Sequence, residues 1–405
     1  MDIIKLAVKN VFRNKRRSFL TASSLAVAGF VIVALHGYVQ GVLNTSKEML
    51  IKLETGHVLI TKKDYFERRI FLPQDEYIEN TDEIESELKN SRFVNFYTMR
   101  IKAGGMLFTK GGATKNVIIM GLDPEKEIKA FNLKQDNFLE GVYDLSKGCV
   151  LGRDLAKTLN LKAGDTLIIM SKSAYGGLSA LKIPVIGIAK MGYTLFDKSL
   201  ILLSTSSARK LLKVESGAHE ILVFLKSEKD IERFVKSVKL PEDVVAKPYT
   251  FTLGTFVFFF KFADVFYLTI YVLIALLAAF AIVNTMTVAV FERMREIGTL
   301  KSIGMNDNEI FSLFGLEGTL IGATGGFVGA LLGLLLNFAL KVKGLNFEEM
   351  IKTFDFPFPY IVRPTTNLWV FLMAFIIVTV ISFGTSVIPA LQARKLTPQE
   401  ALRQT

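Results

Sequence analysis

Four long apolar runs constrain this chain more than anything else in it: Phe19 to Leu43, Phe262 to Phe291, Phe311 to Leu340 and Leu368 to Ala390. A helix rises about 1.5 Å per residue, so each run exceeds the ~20 residues that cross a ~30 Å hydrocarbon core. A lone run of this kind is also compatible with a buried core helix, or at the N-terminus with a secretory signal. The first run is long for a signal and no A-x-A site follows it, which favours an uncleaved span. Taken together, the four runs predict a multi-pass membrane protein with a water-facing segment of 218 residues, 44–261, between spans one and two.

The flanks of the runs set the orientation. The N-terminal stretch IIKLAVKNVFRNKRR places Ile4, Val8, Val11 and Phe12 at helical spacing, with Lys5, Lys9, Arg13 and Lys15 mostly elsewhere on the wheel. It reads as an interfacial helix over 1–18. With Arg16, Arg17, Arg293, Arg295, Lys301, Arg394, Lys395 and Arg403, the basic residues gather on one side of the spans. The loop 341–367 carries fewer cations, offset by Glu348, Glu349 and Asp355. The positive-inside bias then assigns both termini and the loop 292–310 to the cytoplasm, and the domain 44–261 to the outside. The net charge of +11 is explained by this orientation, and no nucleic-acid partner is expected. The fold expected is four transmembrane α-helices (19–43, 262–291, 311–340, 368–390), a cytoplasmic tail 391–405, and a large mixed α/β extracytoplasmic domain.

Within 44–261, strand-like runs occur at 56–63, 116–122, 166–170, 183–189, 199–204 and 219–225. Helical stretches occur at 82–90, 153–160, 206–213 and 229–238, and two subdomains are a possible arrangement. The segment 160–167, NLKAGDTL, reads as a helix exit and a Gly-Asp turn into a strand.

The chemistry of an enzyme is missing from the sequence. No window matches GxxxxGK[ST] or GxSxG. The one cysteine, Cys149, permits no intrachain disulfide and no zinc site, and the histidines His36, His57 and His219 are scattered; no metal site is expected. The acidic pairs Glu348-Glu349 and Asp82-Glu83 read as solvated faces. Asp264 lies at the start of span two, near the external face, and Glu317 about two turns into span three, near the cytoplasmic face; neither is at the midplane, so structural roles are expected for both.

Two stretches carry pattern instead. In span three, Gly318, Gly322 and Gly326 recur every four residues, as do Gly325, Gly329 and Gly333. Such small-residue ladders let helix backbones approach closely in lipid, against another span or a second copy. In the loop 292–310, Ile297, Leu300 and Ile303 form an apolar stripe flanked by Arg293, Arg295, Glu296 and Lys301. Gly304 suits the stop of that short helix, and Asn306 with Glu309 suits the cap of the next. The helix is either an inert connector or a rigid docking element tied to two spans.

The segment 291–333, FERMREIGTLKSIGMNDNEIFSLFGLEGTLIGATGGFVGALLG, resembles the signature of FtsX-like/MacB-like ABC transporter permeases. PALQARKLTPQEALR (389–403) resembles the family's C-terminal ending, and NVFRNKRRSFLT (10–21) its N-terminal motif. LETGHVLITKKDYFE (53–67), IMGLDPEKE (119–127) and GCVLGRDLAKTLNLKAGDTL (148–167) look like the lipoprotein-releasing LolC/LolE-type branch. The resemblance implies a permease subunit without its own ATPase site, in a bacterial inner membrane, with 44–261 a MacB-like periplasmic domain. Residues 293–304 would be a coupling helix inserted into a separate ABC ATPase, with Arg295, Glu296, Gly298, Lys301 and Gly304 on the family's recurring positions. Glu317 matches a frequent acidic position in span three. No cofactor would bind this chain; ATP and Mg would act through two copies of the partner ATPase. A second permease, homologous or identical, a lipoprotein substrate and a periplasmic carrier complete the implied assembly. A MacB-like efflux permease for peptides or drugs and an FtsX-like regulator of cell-wall hydrolases are the alternatives. MacB proteins usually carry a fused N-terminal ATPase and FtsX proteins a smaller external domain, which weighs against each. A membrane-anchored binding domain without any ATPase is a further reading, of a different class.

Overall fold

The computed structural model describes residues 3–131, 137–351 and 359–395, so Asp355, Arg403 and most of the C-terminal motif lie outside the described residues, as does the side chain of Asp264. The chain forms two compact units. One holds the chain up to Leu43, Phe260–Leu345 and the chain from Val362; the other holds Asn44–Phe259 and Asn346–Ile361.

In the first unit every expected span lies inside a longer helix: Lys15–Leu50, Gly254–Glu292, Asp307–Lys343 and Leu368–Lys395. All four are long and apolar enough to cross a membrane. The helices overrun the apolar runs because hydropathy marks the hydrocarbon layer, whereas Lys, Glu, Met and Leu continue a helix equally well in water. With 36 and 39 residues, the first two reach about 54 and 58 Å, well beyond a ~30 Å core. A leading helix, Ile3–Arg13, precedes span one across a break at Asn14. Ala7 and Asn10 on it are buried, and the helix packs against span three. Ile4, Val8 and Phe12, its expected apolar face, are exposed, as suits a helix lying in an interface.

The second unit is built on one sheet: β1 (Val58–Lys62), β2 (Val94–Phe108), β3 (Thr114–Leu122), β4 (Phe138–Gly141), β5 (Cys149–Gly152), β6 (Thr166–Lys172), β7 (Leu178–Ala189), β8 (Leu200–Ser204), β9 (Glu220–Leu225) and β10 (Val244–Pro248). The order is β10-β1-β9-β2-β3-β8-β5-β7-β4, and β6 pairs with both β2 and β7. The pairings β2–β3–β8–β5–β7–β6–β2 therefore close into a ring. Its buried face is aliphatic, with Ile101, Ile119, Leu151, Ile169, Val185 and Ile201 in one cluster. Strand β2 explains why the domain is one unit rather than two subdomains. Its N-terminal half pairs with β9 and its C-terminal half with β6, while β3 runs beside it from Arg100 to Phe108. The turn in 160–167 is as expected: Asn160 and Gly164 both take positive φ (51° and 97°).

The stretch expected as a free loop, 341–367, is partly knitted into the second unit. Glu348 accepts from Arg153 and Lys190, and its side chain is only 16% exposed, so it is no solvated face. Hydrogen bonds from Lys190 and Arg153 hold its carboxyl below the usual range. The Tyr360 hydroxyl donates to Asp197 Oδ2 at 2.7 Å, and Tyr193 bridges to Pro359. Cys149 is buried in the aliphatic cluster, and burial pushes its thiol up to about 12, which makes it inert. Among the described residues, no group of three His, Cys, Asp or Glu side chains is placed to hold a metal.

Candidate functional site

The loop between spans two and three folds as Met294–Ser302, a short helix between two long ones. It ends in a Schellman motif: Gly304 N–H donates to the Lys301 carbonyl and Met305 N–H to that of Leu300, both at 3.0 Å. Gly304 has φ +102°, which a side chain resists. The next helix opens on a capping box, with Asn306 N–H donating to Glu309 Oε2 at 2.8 Å. Helix, stop and cap thus stand where the sequence put them.

The faces of this helix differ from the expectation in three respects. Ile297 and Gly298 are buried and Leu300 half-buried, but Ile303 is 78% exposed. Ile303, six residues after Ile297, falls about 120° around the helix from it, on the face of Thr299 rather than on the buried stripe. Arg293, expected on a charged flank, is buried at the N-cap position. Lys301 is also no free cation: its Nζ donates to Asp307 Oδ1 and to the Arg394 carbonyl, each at 2.7 Å. What remains outward is Arg295, Thr299 and Ile303, an i, i+4, i+8 stripe.

The buried side explains how the helix is held. Arg293 Nη1 donates to both oxygens of Glu317, at 3.0 and 2.9 Å. Asn10 of the leading helix donates to the same carboxylate. Glu317 is buried one face in from the glycine ladder, so its charge is acceptable only with these partners. Arg293 Nε lies 3.2 Å from Glu296 Oε2, and Arg13 donates to Glu296 at 2.6 Å. One carboxylate therefore ties together the short helix, span three and the leading helix. The sequence flagged Glu317 as structural but offered no partner for it.

The two glycine ladders sort onto two neighbours. Cβ atoms at Gly318, Gly322 and Gly326 would meet Ser386, Ser382 and Val378 of span four at 2.5, 2.0 and 3.0 Å. Cβ atoms at Gly325, Gly329 and Gly333 would meet the carbonyls of Ala22, Ala26 and Phe30 of span one at 2.4, 1.9 and 2.9 Å. Span three is thus wedged between spans one and four of this same chain, against backbone on the span-one side and against side chains on the span-four side. The short helix is fastened to the most tightly packed helix of the unit.

A second buried arginine, absent from the sequence reading, acts within the other unit. Arg100 of β2 is fully buried. It binds Glu127 in a fork, Nε to Oε1 at 2.7 Å and Nη2 to Oε2 at 2.8 Å. It also donates to the carbonyls of Lys52 and Leu53, in the π-helical turn Ile51–Thr55 that continues the Lys15–Leu50 helix. Lys102, two residues on, adds an ion pair to Glu54 at 2.7 Å. The end of that long helix is thereby locked onto the sheet.

Four spans, a large α/β unit and a braced helix exposed between two spans define a multi-pass membrane protein of the transporter-permease class. Residues 268–398 match the FtsX-like permease C-terminal family, and residues 18–239 match the MacB-like periplasmic core domain. An uncharacterized ABC transporter permease of Methanocaldococcus jannaschii is 26% identical, with 99% of this chain and 98% of that one covered. The lipoprotein-releasing system transmembrane protein LolC of Xylella fastidiosa is 22% identical over 73% of this chain and 74% of its own length. The macrolide export ATP-binding/permease protein MacB of Vibrio parahaemolyticus is 33% identical over 30% of this chain and 16% of its own. The chain belongs to the FtsX-like/MacB-like family of ABC transporter permeases. Membership implies a membrane location and an ATPase partner.

Proposed function

We propose that this chain is the mechanical permease subunit of an ABC transporter that extracts lipoproteins from a bacterial inner membrane and passes them to a periplasmic carrier. Both termini and the 292–310 loop face the cytoplasm, and residues 44–261 face the periplasm. The short helix Met294–Ser302 docks on a separate ATPase, present in two copies, through Arg295, Thr299 and Ile303. ATP and Mg act on the ATPase. A second permease, homologous or identical, completes the pair of docking helices.

One observation carries the docking assignment. The helix is fastened on its inner side by a buried ion pair, yet leaves a large apolar side chain, Ile303, exposed at its tip. A rigid support with an exposed apolar side chain at its tip is what transmission of a push requires; an inert connector needs neither feature. The cargo assignment draws on the LolC relative, which aligns over nearly three-quarters of both chains. The MacB relative aligns over a much shorter stretch and supports peptide or drug efflux less well.

The test is reconstitution. The chain is co-purified with its ATPase, placed in proteoliposomes with triacylated lipoprotein, and supplied with ATP and a soluble carrier. Transfer of lipoprotein to the carrier, dependent on ATP, is expected. ATP hydrolysis stimulated by a peptide or drug but not by lipoprotein would establish the efflux alternative instead.

A further inference from the structure

Where span one meets span two, at the end of the unit that carries the leading helix, lies an open cleft of about 610 Å³. Arg13, Lys15, Arg16 and Arg17 line it against a single carboxylate, Glu292. Two of these cations are engaged: Arg17 donates to Glu292 at 2.9 Å, and Arg13 to Glu296 at 2.6 Å. Lys15 and Arg16 have no ion pair or hydrogen bond among the described residues. The cleft thus carries a surplus of positive charge that no group among the described residues answers.

Deeper in, the cleft is lined by Leu20 and Val288, both exposed, and beyond Val288 by Asn284. Asn284 stands eight residues before the end of span two, about 12 Å along the helix, at membrane depth. Its amide is exposed into the cleft and has no hydrogen-bond partner among the described residues. Hydrocarbon satisfies no amide, so a polar occupant is called for at that depth. The leading helix adds an independent marker: Ile4, Val8 and Phe12 are exposed in an i, i+4, i+8 row, the pattern of a helix seated in the headgroup layer.

We propose that this cleft binds the phosphate headgroup of an anionic lipid from the leaflet on the N-terminal side. The phosphate oxygens sit on Lys15 and Arg16. Leu20 and Val288 flank the glycerol region one turn further in, and Asn284 hydrogen-bonds to an ester carbonyl below them. Orientation by the positive-inside effect needs only the charges; it needs neither a cleft nor a polar amide two turns down. A bound lipid here contacts spans one and two and lies beside Arg13 at the end of the leading helix, which shares Glu317 with the docking helix. Lipid occupancy accordingly steadies the frame on which the docking helix rests.

The test is native mass spectrometry of the full chain, released from detergent holding equal amounts of phosphatidylglycerol and phosphatidylcholine. Wild type is expected to retain phosphatidylglycerol in preference. Lys15→Gln with Arg16→Gln should cut that preference about thirtyfold, the strength expected of two surface cations. The charge-preserving exchange Lys15→Arg with Arg16→Lys should keep it, and Asn284→Leu should weaken it with the cations intact. Undiminished preference in the double glutamine variant overturns the proposal. Displacement of the lipid by inorganic phosphate at matched concentration also overturns it, since the site would then be one for a free anion. A third arm uses Asn284→Cys, whose thiol is the reactive one because Cys149 is buried. Disulfide-linked dimers through that position would show a second copy filling the cleft and would likewise overturn the proposal.

Discussion

Arg100 and Arg293 are both buried, both paired with a distant glutamate, and both placed at the end of a helix, yet they are satisfied to different degrees. Arg100 spends its guanidinium fully on Glu127 and on the carbonyls of Lys52 and Leu53. Arg293 uses one nitrogen on Glu317, while its Nη2 has no hydrogen-bond partner among the described residues and its Nε meets Glu296 outside hydrogen-bond geometry. A saturated buried arginine resists rearrangement, because every alternative loses bonds in a low dielectric. An unsaturated one has spare donors and a second carboxylate within reach, so a shift costs it less. The joint at the sheet is therefore built to hold, and the joint under the short helix is built to yield within limits.

The largest effect follows from breaking the saturated joint. Arg100→Met leaves Glu127 charged and buried without its partner, and should destabilise the α/β unit by about 3–5 kcal/mol. Thermal unfolding of the full chain in detergent reads this directly. Replacing both partners with apolar residues should recover much of the loss; if it does not, the helix-end carbonyls rather than the ion pair dominate the joint.

Next comes a contrast in pH response inside the same unit. Burial pushes Asp197 up to about 6 and His219 down to about 4. Between about pH 4 and 6 the folded chain keeps a proton on Asp197 that the unfolded chain has released, so this contribution to stability falls as pH rises. Between about pH 6.5 and 4 the unfolded chain gains a proton on His219 that the folded chain refuses, so this contribution falls as pH falls. The two nearly cancel in the native protein. Asp197→Asn removes only the first, and stability should then drop by about 3 kcal/mol from pH 6.5 to 4. A melting temperature that stays level over this range in the variant would show that His219 does not titrate as its burial requires.

In the membrane unit, rigidity comes from packing rather than charge. A Cβ at Gly329 would stand 1.9 Å from the backbone oxygen of Ala26, whereas one at Gly322 would meet the side chain of Ser382 at 2.0 Å. Gly329→Ala should cost about 1–3 kcal/mol, since backbone must move. Gly322→Ala should cost less and be relieved by Ser382→Gly, because a side chain is the obstacle. Equal costs without rescue would mean that the two ladders are not distinct contact faces.

The smallest stability effect is expected at the yielding joint. Glu317→Gln keeps the shape and one acceptor for Arg293, and Glu296 lies near enough to take up part of the charge. A loss of about 1–2 kcal/mol is expected, below that of Arg100→Met. ATP hydrolysis by the assembled complex should continue while cargo transfer falls, because the frame transmits less of the stroke. A stability loss equal to that at Arg100 would remove the distinction between the two joints.

Local pattern was legible in the sequence where one side chain's chemistry decides the outcome. The apolar runs announce the spans; Gly304 and the Asn306–Glu309 pair announce the stop and the cap. The glycine ladders announce close helix contact but not its partners, since small residues carry no signal of what they face. Strand β2 escaped notice because Arg100, Lys102 and the pair Gly104–Gly105 interrupt its alternation. Those charges are answered by Glu127 and Glu54, tens of residues away. Arg293 looked solvated for the same reason: its partner, Glu317, is two dozen positions on. Ile303 looked inward because the i, i+3, i+6 row was counted as one face, although its third member falls about 120° away from the first. Long-range charge pairing and chain reversal are tertiary facts, and no local window contains them.

The most direct test of the central claim is the affinity of the full-length chain for its ATPase, measured in detergent for wild type and for Ile303→Asp. Ile303 is 78% exposed and supports no internal contact that the fold depends on, so the variant should melt as wild type does. If the short helix is the docking element, the charge at its tip should weaken ATPase binding at least about tenfold, the scale of a lost interface anchor. Wild-type affinity in a well-folded Ile303→Asp protein would contradict the account.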